Sequence, residues 1–316
     1  MYVGTDEAQD TGGFLQSLEK FGEVNRFKGK NGQYGTHSGD KKENGQRLIE
    51  LVERAQGNGL LHVVLGQMWG FSMPWQVLDE VRSMGIITAN ICMDDRHTFR
   101  HSLDDGEWTG TCGLTPGLDL ALTTAPEVCL WYGVEGLPAL FWPEASSPDI
   151  FHPMNIPKKY DVCFVGGNYG IRAEIVRTIK KRGINVECYG SGWPNGRIAT
   201  KDVPALFASS KIVLGVGSIG HCTDFYSLKL RDFDATLSGS MYLTHANPDL
   251  NLLFEVGKEI VCYETPEECA DKCESYLSNE DEREAIAKAG LKRSLREHTW
   301  EARFEQLFQV LGLLEN

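Results

Sequence analysis

Residues 160–190, YDVCFVGGNYGIRAEIVRTIKKRGINVECYG, decide the architecture of this chain. YDVCFVGG (160–167) is a short apolar run closed by glycines, the pattern of a buried strand. RAEIVRTIKKRG reads as a helix stopped by glycine, and INVECYG returns to a strand. A strand, a glycine-rich turn, a helix and a second strand make the unit from which parallel sheets are built.

The alternation continues on both sides. Upstream, LHVVLGQM (61–68) reads as a strand and PWQVLDEVRSMG (74–85) as a helix opened by proline and closed by glycine. Strands IITANICM (86–93) and LDLALTT (118–124), helix PEVCLWYGVEG and strand PALFWPEA (138–145) follow. Downstream come helix VPALFASS, strand KIVLGVGS, a helix with an apolar ladder at Leu230, Phe233 and Leu237, and strand MYLTHA. A helix at NPDLNLLFE, strand IVCYE and two long helices between 265 and 299 complete the series. The expected fold class is α/β, with two Rossmann-like doubly wound domains at 1–145 and 160–299. Residues 146–159, SSPDIFHPMNIPKK, with three prolines and two lysines, read as the linker. Residues 300–316 carry an amphipathic helix expected to return to the first domain. The polar, glycine-rich segment 95–117 is long for a plain connection, and such loops are often functional.

Composition narrows the function. At 316 residues, 41% apolar and 24% charged, the chain is long enough for two cores. No window approaches the ~20 apolar residues of a membrane span, and MYVGTDEAQDTGG lacks the basic and apolar runs of a secretory signal. A cytoplasmic protein is expected. The nine cysteines form no Cys-x-x-Cys pair, which suits reduced thiols and argues against a structural zinc site. A net charge of −13 argues against broad nucleic-acid or anionic-membrane binding.

Three features draw attention as sites. The junction Gly166-Gly167-Asn168-Tyr169-Gly170 would let a ligand approach the backbone, and Arg172 follows in the first helical turn. A cation there opposes the helix dipole unless an anion compensates; a plain tight turn with a solvated arginine is the alternative. The junction Gly215-Val216-Gly217-Ser218-Ile219-Gly220-His221 leads through Asp224 to Ser227, a possible cap, with Lys229 and Arg231 near the next helix start. Asp234 then stands in a stripe with Ser227, Arg231 and Ser238. It could accept hydrogen bonds from ribose hydroxyls, or pair with Arg231 as an ordinary surface ion pair.

The run KLRDFDATLSGSMYLTHANPDL and its continuation to residue 308 resembles the C-terminal domain of CgeB-like glycosyltransferases, within the family-four-like group with the GT-B fold. The likeness extends upstream through LPALFWPEASSPDIFHP and YDVCFVGGNYGIR, covering 137–308, while NICMDDRHTF resembles the family's Asp-Asp segment. The resemblance implies two domains facing a cleft, with a nucleotide-diphosphate sugar bound by the second domain and a hydroxyl acceptor by the first. It implies retention of configuration and no required metal or other cofactor. Asp234 takes the position of the second signature glutamate, which binds the donor ribose. The first falls at Tyr226, a departure from the pattern. Gly166, Gly167, Asn168, Gly217, Tyr226, Lys229, Arg231, Asp234 and His245 form the implied donor-binding set, and His221 lies near it in sequence. Arg172, Lys229 and Arg231 would offset the charge of the leaving diphosphate. Asp94, Asp95 and His97 would orient or deprotonate the acceptor, or simply shape a loop. The competing functions are a GT-B-fold binding protein without turnover and an enzyme that glycosylates modified DNA bases.

Overall fold

The alternating segments become two parallel sheets. The structure is a computed structural model that describes residues 1–7, 10–37, 39–220, 222 and 225–315. The chain divides into unit 1, Met1–Thr11 with Leu18–Pro143, and unit 2, Gly12–Ser17 with Glu144–Asn316.

In unit 1 the strands are β1 (Tyr2–Val3), β2 (Val63–Gly66), β3 (Ile87–Cys92), the hairpin pair β4 (Leu103–Asp104) and β5 (Glu107–Trp108), β6 (Leu120–Thr123) and β7 (Ala139–Phe141). The main sheet runs β1-β2-β3-β6-β7, all parallel. Its core joins Val3, Val64 and Ala121 to Leu48, Val52, Leu78 and Val81 from the helices Lys41–Asn58 and Trp75–Ser83. Each of the valine and leucine side chains contributes ~1.5–3 kcal/mol by leaving water. The first of these helices is capped by Asp40, whose carboxylate accepts from the amides of Lys42 and Glu43 at 2.9 and 3.2 Å. Segment 95–117 is not a bare loop. It folds into the short helix Asp95–Thr98, the β4–β5 hairpin and the 3₁₀ helix Thr111–Gly117.

Unit 2 contains β8 (Tyr160–Val165), β9 (Val186–Tyr189), β10 (Ser210–Leu214), β11 (Met241–His245) and β12 (Val261–Tyr263), ordered β12-β11-β10-β8-β9 and all parallel. Chain order reverses at β8, whose neighbours are β9 on one side and β10 on the other. In open α/β sheets ligands bind beyond the strand carboxyl ends at such a reversal. Phe164, Ile175, Ile212 and Leu243 form the core with Cys269 and Cys273, so these two thiols act as small apolar groups on the helix Pro266–Ser278.

Two expected boundaries differ. Residues 146–159 belong to unit 2: the Ser146 amide donates to His298 O at 3.1 Å, Trp300 N to Ser146 O at 3.0 Å, and Lys158 Nζ to Ser240 Oγ at 2.7 Å. Three prolines stiffen this segment without freeing it. The terminal helix Trp300–Val310 is also grouped with unit 2, where Trp300 and Phe304 hold Phe14 edge-on at 5.0 and 4.9 Å. No helix among the described residues is long and apolar enough to cross a membrane.

His298 seals this corner. Its Nε2 donates to Leu253 O at 2.9 Å, its Nδ1 accepts from Arg303 Nη2 at 3.1 Å, and Phe233 and Phe254 pack on the ring. Burial, reinforced by the Arg303 charge, pulls its pKa down to about 4. A lowered histidine pKa means the fold favours the neutral ring. The stabilisation is therefore full above pH ~6.5 and is lost as pH falls towards 4, a contribution on the order of 3 kcal/mol. Urea unfolding of wild type and His298→Gln at pH 7.5 and 4.5 checks this. Wild type loses more stability than the variant over that interval; equal losses exclude the assignment. The comparison cancels Asp234, whose raised pKa contributes with the opposite sign.

Candidate functional site

The carboxyl end of β8 turns at Gly166-Gly167 against the carboxyl end of β9. Gly190, at φ +139°, lies so close that a Cβ there would stand 2.2 Å from Gly166 O. Only glycine lets the two loops touch.

Two guanidinium groups converge on this turn. Arg172 opens the helix Arg172–Lys181 and is 4% exposed. It stacks on Tyr169 at 3.9 Å and donates from Nη1 to Gly167 O at 2.9 Å. Arg231 reaches back from the helix Leu230–Leu237 and gives Nε and Nη2 to Val165 O at 3.0 and 2.6 Å. Both cations lie over the Phe164 ring, at 5.5 and 4.9 Å. Neither forms an ion pair among the described residues, and Arg172 Nε and Arg231 Nη1 are buried without a hydrogen-bond partner. Burial, then the Arg231 charge, lowers the Arg172 pKa to about 10. Arg172 is desolvated and Arg231 half-buried, and each keeps a spare donor, an arrangement able to hold an anion.

The alternative reading, an Arg231–Asp234 ion pair, does not form; Arg231 instead donates to Val165 O. Asp234 lies one helical turn further on and keeps partial exposure. Burial pushes its pKa up to about 7, with Asp232 adding to the rise and Ser146 and Arg231 opposing it. The helix begins at Leu230 with Lys229 as its N-cap, so Ser227 lies outside it and its buried hydroxyl has no partner. The cap comes from Asp232, whose carboxylate accepts from Lys229 N at 2.8 Å and from Tyr242 OH at 2.5 Å. Sequence reasoning missed Asp232. The signal was an acid three residues after the cap position, half of a capping box.

The second glycine junction follows β10. Ser227 N donates to Gly217 O at 3.0 Å, and Ser218 and Tyr226 form a bridge. His221 and Asp224 lie outside the described residues. The Tyr226 ring meets His245 at 5.1 Å, and His245 also packs on Tyr263 at 5.6 Å. His245 is 4% exposed, its Nδ1 is buried without a hydrogen-bond partner, and burial lowers its pKa. The structure thus brings Gly166, Gly167, Arg172 and Arg231 together, and Tyr226 with His245. Asn168 is used locally, its amide donating to Ser191 O and its Nδ2 to Gly192 O.

In unit 1, Asp94 and His97 are exposed beyond the carboxyl end of β3. Asp95 is 1% exposed and turned inward, accepting from Thr111 Oγ1 at 2.7 Å and Tyr132 OH at 3.0 Å. Burial raises its pKa. It cannot reach an acceptor hydroxyl and serves as an internal anchor. His97 lines a cavity of about 530 Å³ with Phe99, Arg100 and Trp131. No group of three or more His, Cys, Asp or Glu side chains that could hold a metal occurs among the described residues.

Residues 172–309 match a family model described as glycosyl transferase-like. No curated protein matches the chain in sequence. Many solved structures share its fold, and three of them illustrate the likeness. Sucrose-phosphate synthase from Thermosynechococcus elongatus is 12% identical, with 92% of this chain and 82% of that one covered at a TM-score of 0.62. HepE from Anabaena, solved with UDP and glucose, is 10% identical over 85% and 82% of the two chains, TM-score 0.60. A glycosyltransferase from Rickettsia africae is 11% identical over 90% and 85%, TM-score 0.61. At these identities the likeness establishes the fold, which is GT-B.

Replacing Asp232 by alanine strips the cap and leaves the buried Tyr242 hydroxyl unpaired. Urea denaturation of Asp232→Ala is expected to show a loss of about 2–4 kcal/mol. A loss below about 1 kcal/mol would contradict the capping role.

Proposed function

We propose that this chain is a glycosyltransferase that moves a sugar from a nucleotide-diphosphate donor to a hydroxyl acceptor, in the CgeB-like branch of the GT-B enzymes. The observation that carries the proposal is the pair of guanidiniums at the β8 turn, Arg172 buried and Arg231 half-buried, neither ion-paired among the described residues. The family model over the same unit and the UDP-bound neighbour support it.

In this reading the donor diphosphate lies against Arg172 and Arg231. The glycines of the turn allow close approach, and the helix start at Leu230 adds its partial positive charge. As the bond from sugar to phosphate breaks, charge builds on the departing diphosphate. Fixed cations in a desolvated site stabilise that charge without reorganising and without a required metal. Asp234 accepts from the ribose hydroxyls. Exposed Asp94 and His97 of unit 1 are the acceptor-side groups able to orient or deprotonate a hydroxyl. Transfer is assigned as retaining on the family pattern. Tyr226, in place of the first glutamate, supports a second reading, a donor-binding protein without turnover. Glycosylation of modified DNA bases fits poorly with a charge of −13.

Calorimetric titration with a panel of nucleoside diphosphates and their sugars tests the proposal. One donor binds, Arg231→Met weakens it by about 1.5–3 kcal/mol for lost charged hydrogen bonds, and Asp234→Ala by about 1–3 kcal/mol. Binding of no donor refutes the proposal, and tight binding without product selects the second reading. The pH profile is a separate prediction. Only ionised Asp234 accepts from both hydroxyls, so affinity is highest above the Asp234 pKa of about 7 and falls below it, by at most about tenfold per pH unit. Asp234→Asn flattens the profile; an unchanged slope in that variant removes Asp234 from the ribose site.

A further inference from the structure

The loop 190–196 packs on the donor turn from behind. Asn168 N donates to Ser191 O at 2.7 Å and Asn168 Nδ2 to Gly192 O at 3.2 Å. Trp193 Nε1 donates to Gly166 O at 2.8 Å. The loop is closed on itself by Gly190 N to Gly196 O at 2.7 Å and Gly196 N to Trp193 O at 2.9 Å. The indole also meets the Phe164 ring edge-on at 6.1 Å, the same ring that carries both guanidiniums.

One peptide links these contacts to the anion site. In a trans peptide the carbonyl and the following N–H point to opposite sides. Tying Gly166 O to Trp193 therefore turns the Gly167 N–H away from the indole. Among the described residues no acceptor meets that N–H, while Gly167 O is occupied by Arg172 Nη1. A flip of this peptide would break the Trp193 bond and aim a carbonyl, with its partial negative charge, where the N–H now points.

We propose that Trp193 is a positioning residue, which locks the Gly166–Gly167 peptide so that the Gly167 N–H is a hydrogen-bond donor to the diphosphate. The inference rests on the donor reading above. Trp193 itself acts only through Gly166.

The test uses the full chain labelled with ¹⁵N-glycine, with the Gly167 resonance identified through Gly167→Ala and with inorganic pyrophosphate and UDP as probes. In wild type the Gly167 amide proton moves downfield on saturation with either probe. Trp193→Phe keeps a ring on Phe164 and removes only the N–H. It weakens both probes by a common factor, about three- to tenfold for one neutral hydrogen bond. A merely structural tryptophan would lower the thermal midpoint yet leave the affinity for both probes unaltered. Unaltered affinity in Trp193→Phe, or a Gly167 amide that does not shift in wild type, overturns the inference. If Trp193→Phe fails to fold, the wild-type amide shift alone decides. Failure of wild type to bind either probe overturns the donor reading instead.

Discussion

Two like charges held against one phenyl ring set the terms for unit 2. Arg172 loses water and is repelled by the Arg231 charge, and no carboxylate among the described residues forms an ion pair with either. What holds them is partial charge: the carbonyls of Val165 and Gly167, the face of Phe164, and the stack on Tyr169. Cation–π contacts of this kind are worth ~0.5–2 kcal/mol each, and they leave the net positive charge in place. The fold therefore keeps a positive potential that an anion can relieve. It can do so because β8 is where strand order reverses, the place where open α/β sheets offer a crevice beyond their carboxyl ends.

Much of this was legible because glycine and charge leave strong marks. The turn at 166–170 was visible as consecutive glycines after an apolar run. Arg172 was visible as a cation at the wrong end of a helix, a misfit that the structure resolves by desolvation and stacking. Arg231 was legible as a residue but not as a geometry. Its acceptor, Val165 O, lies 66 positions away, and local spacing suggested Asp234 as its partner. Asp232, next to Arg231 in sequence, stands outside the stripe of Ser227, Arg231, Asp234 and Ser238 that the spacing picks out. Its role depends on Tyr242, which only the adjoining strand brings near.

Unit 1 was harder to read for a related reason. The helix Lys41–Asn58 is dominated by polar and charged residues, with Leu48 and Val52 as its fully buried apolar contacts, and a stripe that narrow gives little periodic signal. β1 is two residues long, too short for any alternation. The Asp94-Asp95 pair shows a different limit. Successive residues of a helical turn point about 100° apart, so one carboxylate of the pair faces solvent and the other enters the core. Which one is decided by Thr111 and Tyr132, from distant segments.

The departure at Tyr226 changes the charge balance as well as the chemistry. The family pattern offers two glutamates near the donor. Here Tyr226 supplies none, Asp234 is held near half ionisation at neutral pH, and Asp232 is tied to the cap and Tyr242. Arg172, Arg231 and Lys229 are thus opposed by little negative charge until a ligand brings it. On the proposed function this asymmetry favours the diphosphate in both substrate and product. Binding energy that is equal in ground and transition states lowers KM without raising kcat, so such a site gains affinity more readily than turnover. On the proposed function, a tyrosine in place of the first carboxylate leaves the diphosphate of the product held as firmly as that of the donor, which slows product release.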